Sequence, residues 1–518
     1  MSCRSSEWFD DVEQKALDKL AAEMSAARTD PEPISVFNAT FAPLDGTRVR
    51  LLAQDRGGDD AIALLTESEA IADIVTPLDA ILYLDTYLEF EGTPDLAARF
   101  SSRGGLLNPS VRRRLAEQGG ETRRSQLDLS TGLRAARFLA FATIVAQTMD
   151  IAVGAARKDC VDPQELLAGG HAALSPDGIR QLLACPLFVP AGQARVRFYR
   201  REARDLLAAQ WLRDRIDEGA SALSITDRFI KSAFGEPRVP IVYGSMLAWL
   251  ASYDPTTLRR MIKAAPHWII EGGDPRSLAL EDRVAALEQH FRLGPGRFHG
   301  EFMFEVGELR RFARPELEDA IVRHLAVPLA GDLIDHLMQM VEAGRYASAA
   351  PKLVSMLCDF SRSSGDRMFA MRALLACGGT DDLRAVAKHF ISTGGPTVSG
   401  DEAFGRSRND HLLLDLVTAA YPNAIGVADA LTLLSQIHGK DYSHEAKSVA
   451  RWLATSAPSA DLADWLVGLD RLCFDVPDPD YSPFGHAMPK MHRRATVLLR
   501  GLLEITARYL AETSQFDI

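Results

Sequence analysis

The sequence predicts a mainly α protein, and three observations carry that expectation. Ala and Leu, strong helix formers, are abundant in a chain that is 47% apolar and 25% charged. Apolar residues recur at helical spacing along most of its 518 positions. From about residue 223 onward, helical runs of about 10–18 residues alternate with short Gly, Pro, Asp or Ser turns.

A chain of this length needs several cores, three or four at about 100–200 residues each. The changes in texture divide it into 1–45, 46–160, 161–222 and 223–518. In 1–45 the spacing predicts a helix from near Trp8, with Phe9, Val12, Ala16, Leu20 and Met24 on one face. Pro31-Glu-Pro33 ends it, and the β-branched run Ile34–Phe41 predicts a short strand. Ser2-Cys3-Arg4 reads as the end of a further strand. In 46–160, short amphipathic helices are expected around Val49, Ala61 and Ala80. Gly104–Pro109 predicts a loop, and a long helix is expected from Asp128 to Val153, capped by the polar side chains of Asp128–Thr131.

Residues 161–222 differ. Ser175-Pro176-Asp177 starts a helix through Ile179 and Leu183. Cys185–Pro190 is extended, Ala191-Gly-Gln193 turns, and Arg195–Tyr199 alternates as the second strand of a hairpin. A helix over 202–212 follows. Helix, hairpin, helix is how a winged-helix unit ends. The helix pairs after 223, with a period near about 40 residues, fit a HEAT-like α-solenoid, whose concave surface suits a protein partner.

The net charge of −12 disfavours nucleic acid as a partner of the whole chain. One arginine cluster (Arg195, Arg197, Arg200, Arg201, Arg204) is interleaved with Glu202 and Asp205, and Arg112–Arg114 and Arg123-Arg124 lie elsewhere. The six cysteines show no C-x-x-C spacing and read as buried thiols in a reducing compartment, which places the chain in the cytoplasm. No signal-like leader and no run of about 18 apolar residues is found, so no membrane role is expected. Catalytic signatures are missing too. The sole Gly-Lys pair, Gly439-Lys440, precedes Asp441 rather than Ser or Thr, so there is no phosphate-binding Walker A loop. Ile81–Asp85 looks like a Walker B strand only superficially and is expected to be helical. The histidine pairs 438/444 and 486/492 are six apart and share no helix face.

The segment Val196–Leu212 resembles the winged-helix signature of the NACHT-type STAND NTPases, F-x-H-x-x-x-x-E-[FY]-x-A-A. Phe198, Ala208 and Ala209 match it, Asp205 and Leu206 come near, and Arg200 stands where the family has a phosphate-contacting histidine. Ser2–Trp8 is similar to the sensor-1 strand end, with Arg4 facing a terminal phosphate. Thr76-Pro77-Leu78 is similar to the lid turn whose proline, Pro77, packs on adenine. Pro266–Asp274 with Arg283 resembles the early solenoid of bacterial members. The resemblance spans about residues 1–290. It implies the end of an NTPase core in 1–45, AAA+-like lid helices in 46–160, a winged helix in 161–222 and a solenoid in 223–518. It also implies a regulatory and sensing half of a signalling or antiviral switch. ATP or ADP would bind only with a nucleotide-binding half supplied by a preceding segment or a partner chain, through Arg4, Pro77 and Arg200. A homo-oligomer is consistent with it. A plain HEAT-like scaffold and a winged-helix nucleic-acid binder are the alternatives.

Overall fold

The structure, a computed structural model, describes residues 46–54, 58–67, 74, 76–94, 96–117, 127–154, 159–168, 173–192, 194–233, 235–293, 309–327, 329, 332–396, 405–437, 452–453, 455–474 and 495–513. The expectations for 1–45, including Arg4, and for Arg123-Arg124 lie outside these residues, as do His438, His444, His486 and His492. The chain is mainly helical, and it divides into two compact units, residues 1–88 and 89–518.

In the first unit α1 (Gly46–Gln54), α2 (Gly58–Glu67) and α3 (Pro77–Phe90, running into the second unit) form where the amphipathic runs predicted them. Val49, Ala61, Leu65, Leu82 and Leu84 are buried. Ile81–Asp85 is helical, as expected. Thr76 starts α3 by accepting from the Asp79 backbone and donating to its carboxylate at 2.8 Å.

The second unit opens with α4 (Leu96–Phe100), α5 (Arg103–Ala116) and α6 (Leu129–Val145). Two readings are corrected here. Gly104–Pro109 is not a loop but the first half of α5, and the helix from Asp128 ends at Val145 rather than Val153. Ile151–Ala152 is instead a two-residue strand, β1. Asp128 does cap α6, accepting from Thr131 N at 2.9 Å.

Further on come α7 (Pro163–Leu167), α8 (Pro176–Ala184), β2 (Phe188–Pro190), β3 (Arg195–Phe198) and α9 (Arg201–Asp217). Ser175 caps α8 through Gly178 N, and Pro176 takes the first helical position, where its missing N–H costs nothing. The hairpin forms with Phe188 opposite Phe198, and β1 adds antiparallel to β3, giving the order β1-β3-β2. α6 and α9 pack against each other, with Phe138 against Trp211 at 4.8 Å, and both bury small residues, Ala135, Ala136 and Ala140 on one and Ala203, Ala208 and Ala209 on the other. We call α5, α6, α8, α9 and this sheet the hairpin body.

α10 (Ala222–Phe229) leads to a second hairpin, β4 (Lys231–Ala233) and β5 (Glu236–Arg238), which the helical reading of 223 onward misses. The remainder is an array of helices: α11 (Ile241–Ala251), α12 (Pro255–Ala264), α13 (Pro266–Glu271), α14 (Leu280–Leu293), α15 (Glu318–His324), α16 (Asp332–Gly344), α17 (Ala350–Leu357), α18 (Ser364–Cys377), α19 (Thr380–Thr393), α20 (Gly405–Ala420), α21 (Val427–Leu434), α22 (Leu462–Phe474) and α23 (Ala495–Thr513). Through much of the array, helices pack on the next and on the next but one, as α11 does on α12 and α13, and α19 on α20 and α21. One apolar core runs continuously from Ile270 to Ile505. Among the described residues no helix is long and apolar enough to cross a membrane, and no group of three His, Cys, Asp or Glu could hold a metal ion. The five described cysteines are free thiols. Cys185 and Cys473 are buried as expected, whereas Cys160, Cys358 and Cys377 are half-buried.

Candidate functional site

A polar cluster ties the hairpin body to the start of the array. It is built on α5. Helix N-termini leave backbone N–H groups without intrahelical acceptors and carry partial positive charge. Here Ser102 caps locally, its Oγ accepting from Gly105 N at 3.1 Å. Asp274, about 170 residues further along the chain, supplies the rest. Its carboxylate accepts from Ser102 Oγ at 2.5 Å, Gly104 N at 2.9 Å and Arg103 N at 3.2 Å. Only small residues fit: a Cβ on Gly104 would sit 3.2 Å from that carboxylate, and one on Gly105 would sit 2.7 Å from Arg99 O. Asp274 follows a turn through Gly272 and Gly273. Gly273 has φ of +68°, and a side chain on it would meet Ala248 O at 2.6 Å.

The second half of the cluster is ionic. Glu202, in the first turn of α9, takes Arg103 as a fork, Nε at 2.9 Å and Nη2 at 2.7 Å. It takes Arg311, from the segment before α15, at 3.2 Å. The Arg103 side chain is only 5% exposed. Burial by itself would raise the Glu202 carboxyl, but the guanidiniums of Arg103 and Arg311, with Arg200 behind them, outweigh it and hold the group at about 2. Above its unfolded value of about 4.5 this contributes stability, which is lost as the pH falls toward the folded value. Neighbouring polar contacts extend the network: Gln210 donates to Asn108 at 2.6 Å, and Arg137 pairs with Asp214 at 2.8 Å.

The residues expected to touch nucleotide are placed as follows. Arg4 is outside the described residues, and Pro77 is the first residue of α3, in the first unit. Arg200 is in the second unit, half-buried as the residue before α9, with no side-chain capping bond, and it acts on Glu202. Among the described residues, then, the nucleotide donor set reduces to one guanidinium beside a carboxylate, which by itself is too small to hold a triphosphate.

The arginine cluster is not one open patch. Arg195 pairs with Asp150 at 3.2 Å and Asp159 at 2.7 Å, Arg197 with Asp150 at 3.3 Å, and Arg204 with Asp205 at 2.7 Å. Arg114 lies 4.1 Å over the Tyr199 ring. The phosphate contacts that a basic wing would offer are largely taken by carboxylates.

The sequence gives no role to Arg103, Asp274 or Arg311. Asp274 ends the Pro266–Asp274 segment, and the Gly-Gly-Asp turn there is a local signal that could have marked it. Comparison with family models, with curated proteins and with solved structures returns no match.

Proposed function

We propose that this chain is the regulatory and sensing part of a STAND-type, NACHT-like switch, in which the helical array receives a protein ligand and the hairpin body passes the event on. In this reading 46–160 corresponds to a lid, 161–222 to a winged helix and 223–518 to a HEAT-like solenoid. The observation that carries the reading is the joint described above: the segment resembling the winged-helix signature is joined through Glu202 to Arg103 of α5 and to Arg311 of the array, and Asp274 of the array caps α5. A switch needs two states with different contacts, and a polar joint of this kind can be made or unmade as a unit. A ligand that binds the array better with the joint open favours the open state. Arg4, Pro77 and Arg200 are the proposed nucleotide contacts, used with ATP or ADP held by a P-loop that this sequence does not contain. The chain by itself is therefore proposed to be non-catalytic, cytoplasmic, and able to self-associate when open.

The test retrieves the protein as the cell makes it. A C-terminal tag on the chromosomal gene is used to isolate it, and acid-extracted nucleotide is quantified by chromatography. ADP or ATP near one per chain is expected, together with P-loop sequence in the same polypeptide or in a bound partner. Nucleotide-free material with no P-loop sequence would overturn the reading. It would leave the plain interaction scaffold, which the packing of helices on their next and next-but-one neighbours favours independently.

A further inference from the structure

We propose that a cavity between α15, α16 and α17 is a binding site for a small apolar molecule with an anionic end, of the size of one aromatic ring carrying a carboxylate. The proposal stands on this cavity alone and is independent of the switch reading.

Ile334, Leu337 and Met338 fall at i, i+3 and i+4 and so share one face of α16. With Leu325 just after α15 and Met356 of α17 they line a cavity of about 170 Å³, and all five are buried. Protein interiors hold few voids larger than a water molecule, so an apolar space of this size is an exception. A cavity of roughly 150 Å³ lined by such side chains takes up benzene. Val327, which also lines it, is 54% exposed, so the cavity opens to solvent on that side.

Two polar side chains complete the lining. Arg362 stands in the turn before α18, and that turn is held in place. Arg367, 1% exposed, donates to Arg362 O at 2.7 Å and to Phe360 O at 3.3 Å. One oxygen of Asp359 accepts from Ser361 N at 3.1 Å and Ser361 Oγ at 2.6 Å, and the other lies 3.5 Å from Arg362 Nε. That is an ion pair without a hydrogen bond: Nε is buried and donates to no acceptor among the described residues. A buried N–H without an acceptor is costly, and a guanidinium forks naturally onto a carboxylate.

His324, the last residue of α15, is the second, and it stacks on Phe291 at 4.5 Å between ring centres. Burial holds its imidazole below the usual range, so at neutral pH it is uncharged and offers one N–H. Glu288, the carboxylate that acts on it, is shared with Arg323 at 3.9 Å. An apolar cavity with a few convergent donors is the anatomy of a small-molecule site. The donors set the sign of the ligand's charged end, and the volume sets its size. A ring with a short acid side chain has about ten non-hydrogen atoms, and at the usual efficiency of small ligands it binds with Kd between about 10 µM and 1 mM.

The test titrates phenylacetate into the full chain at neutral pH and follows its ¹³C-labelled methionine methyls by NMR, each assigned by substitution with Leu. Met338 and Met356 are expected to shift and saturate, while Met246 and Met261, buried in α11 and α12, stay where they are. The neutral counterpart 2-phenylethanol is expected to bind about tenfold more weakly, and the cation 2-phenylethylamine more weakly still. Arg362→Gln is expected to lower phenylacetate affinity about tenfold and to leave 2-phenylethanol unchanged. No saturable shift at Met338 and Met356 up to about 10 mM phenylacetate, or equal affinity for all three compounds, would overturn the proposal. An Arg362→Gln variant that keeps the whole preference for the acid also overturns it, and if that variant does not fold, the three compounds on the wild-type chain still decide.

Discussion

The joint at α5 and α9 and the contact between α14 and α16 both hold buried polar groups, yet one is an ion pair and the other a pair of imidazoles. At the first, the guanidiniums of Arg103 and Arg311 share the carboxylate of Glu202, while the Asp274 carboxylate accepts from Ser102 Oγ and two backbone N–H groups. At the second, His290 and His336 meet ring to ring, Nε2 to Nδ1 at 3.2 Å, with both side chains buried. Removing a partner therefore breaks the first, while the second depends on which ring nitrogens carry a proton. The ionic joint keeps its anion until the pH approaches the Glu202 value of about 2.

The largest expected effect is at Glu202. Glu202→Gln leaves the buried Arg103 side chain without its anion, and breaking a pair of this kind costs about 3 kcal/mol. Urea unfolding at pH 7 should show that loss, and exchange in α14 and α16 at the same pH should be nearly unchanged. If α14 and α16 loosen equally, the two joints are one cooperative unit and the contrast fails. Asp274→Asn is milder. The amide keeps one acceptor but gives up the negative charge at the start of α5, for about 1–2 kcal/mol. The same denaturation measured at pH 7 and pH 5.5 sharpens the comparison, since the decrement should be similar at both. Arg200→Ala should have the smallest effect on stability, about 0.5 kcal/mol or less, because the residue is half-exposed. In the tagged, native protein it should nevertheless lower the amount of co-purified nucleotide. Unchanged nucleotide content would remove Arg200 from the proposed contacts.

Local chemistry was legible, and distant pairing was not. Ser175-Pro176 and the alternation in Arg195–Phe198 gave a helix start and a strand in place, because capping and pleat are written in neighbouring residues. Gly104-Gly105 and Pro109 read as breakers, since each weakens an isolated helix. In the fold the helix is stabilised from outside, by Asp274, and the glycines are what let that carboxylate approach. The strand Ile151–Ala152 is too short to interrupt an apolar run, and its identity comes from pairing with Val196 and Arg195. β4 and β5 are three residues each and escape periodicity for the same reason. Arg103 and Glu202 lie 99 residues apart, and His290 and His336 lie 46 apart. No spacing rule connects such partners, so the polar cluster and the imidazole pair became visible only with the fold.

The turn through Gly272 and Gly273 has a consequence for timing. Its path is fixed by backbone atoms of the array itself, Ala248 O and Trp268 O, against which any added side chain would collide. Asp274 N also reaches Ser252 Oγ, on the same side of the joint. The carboxylate is therefore aimed by the array alone and does not depend on the helix it caps. Were the two parts to separate, it would have no search to repeat, and reclosure would be limited by their meeting rather than by reordering a loop. A contact of that kind would retain no memory of having been open, so in the proposed switch an open state would last only as long as something else occupied Ser102–Gly104 or held the parts apart.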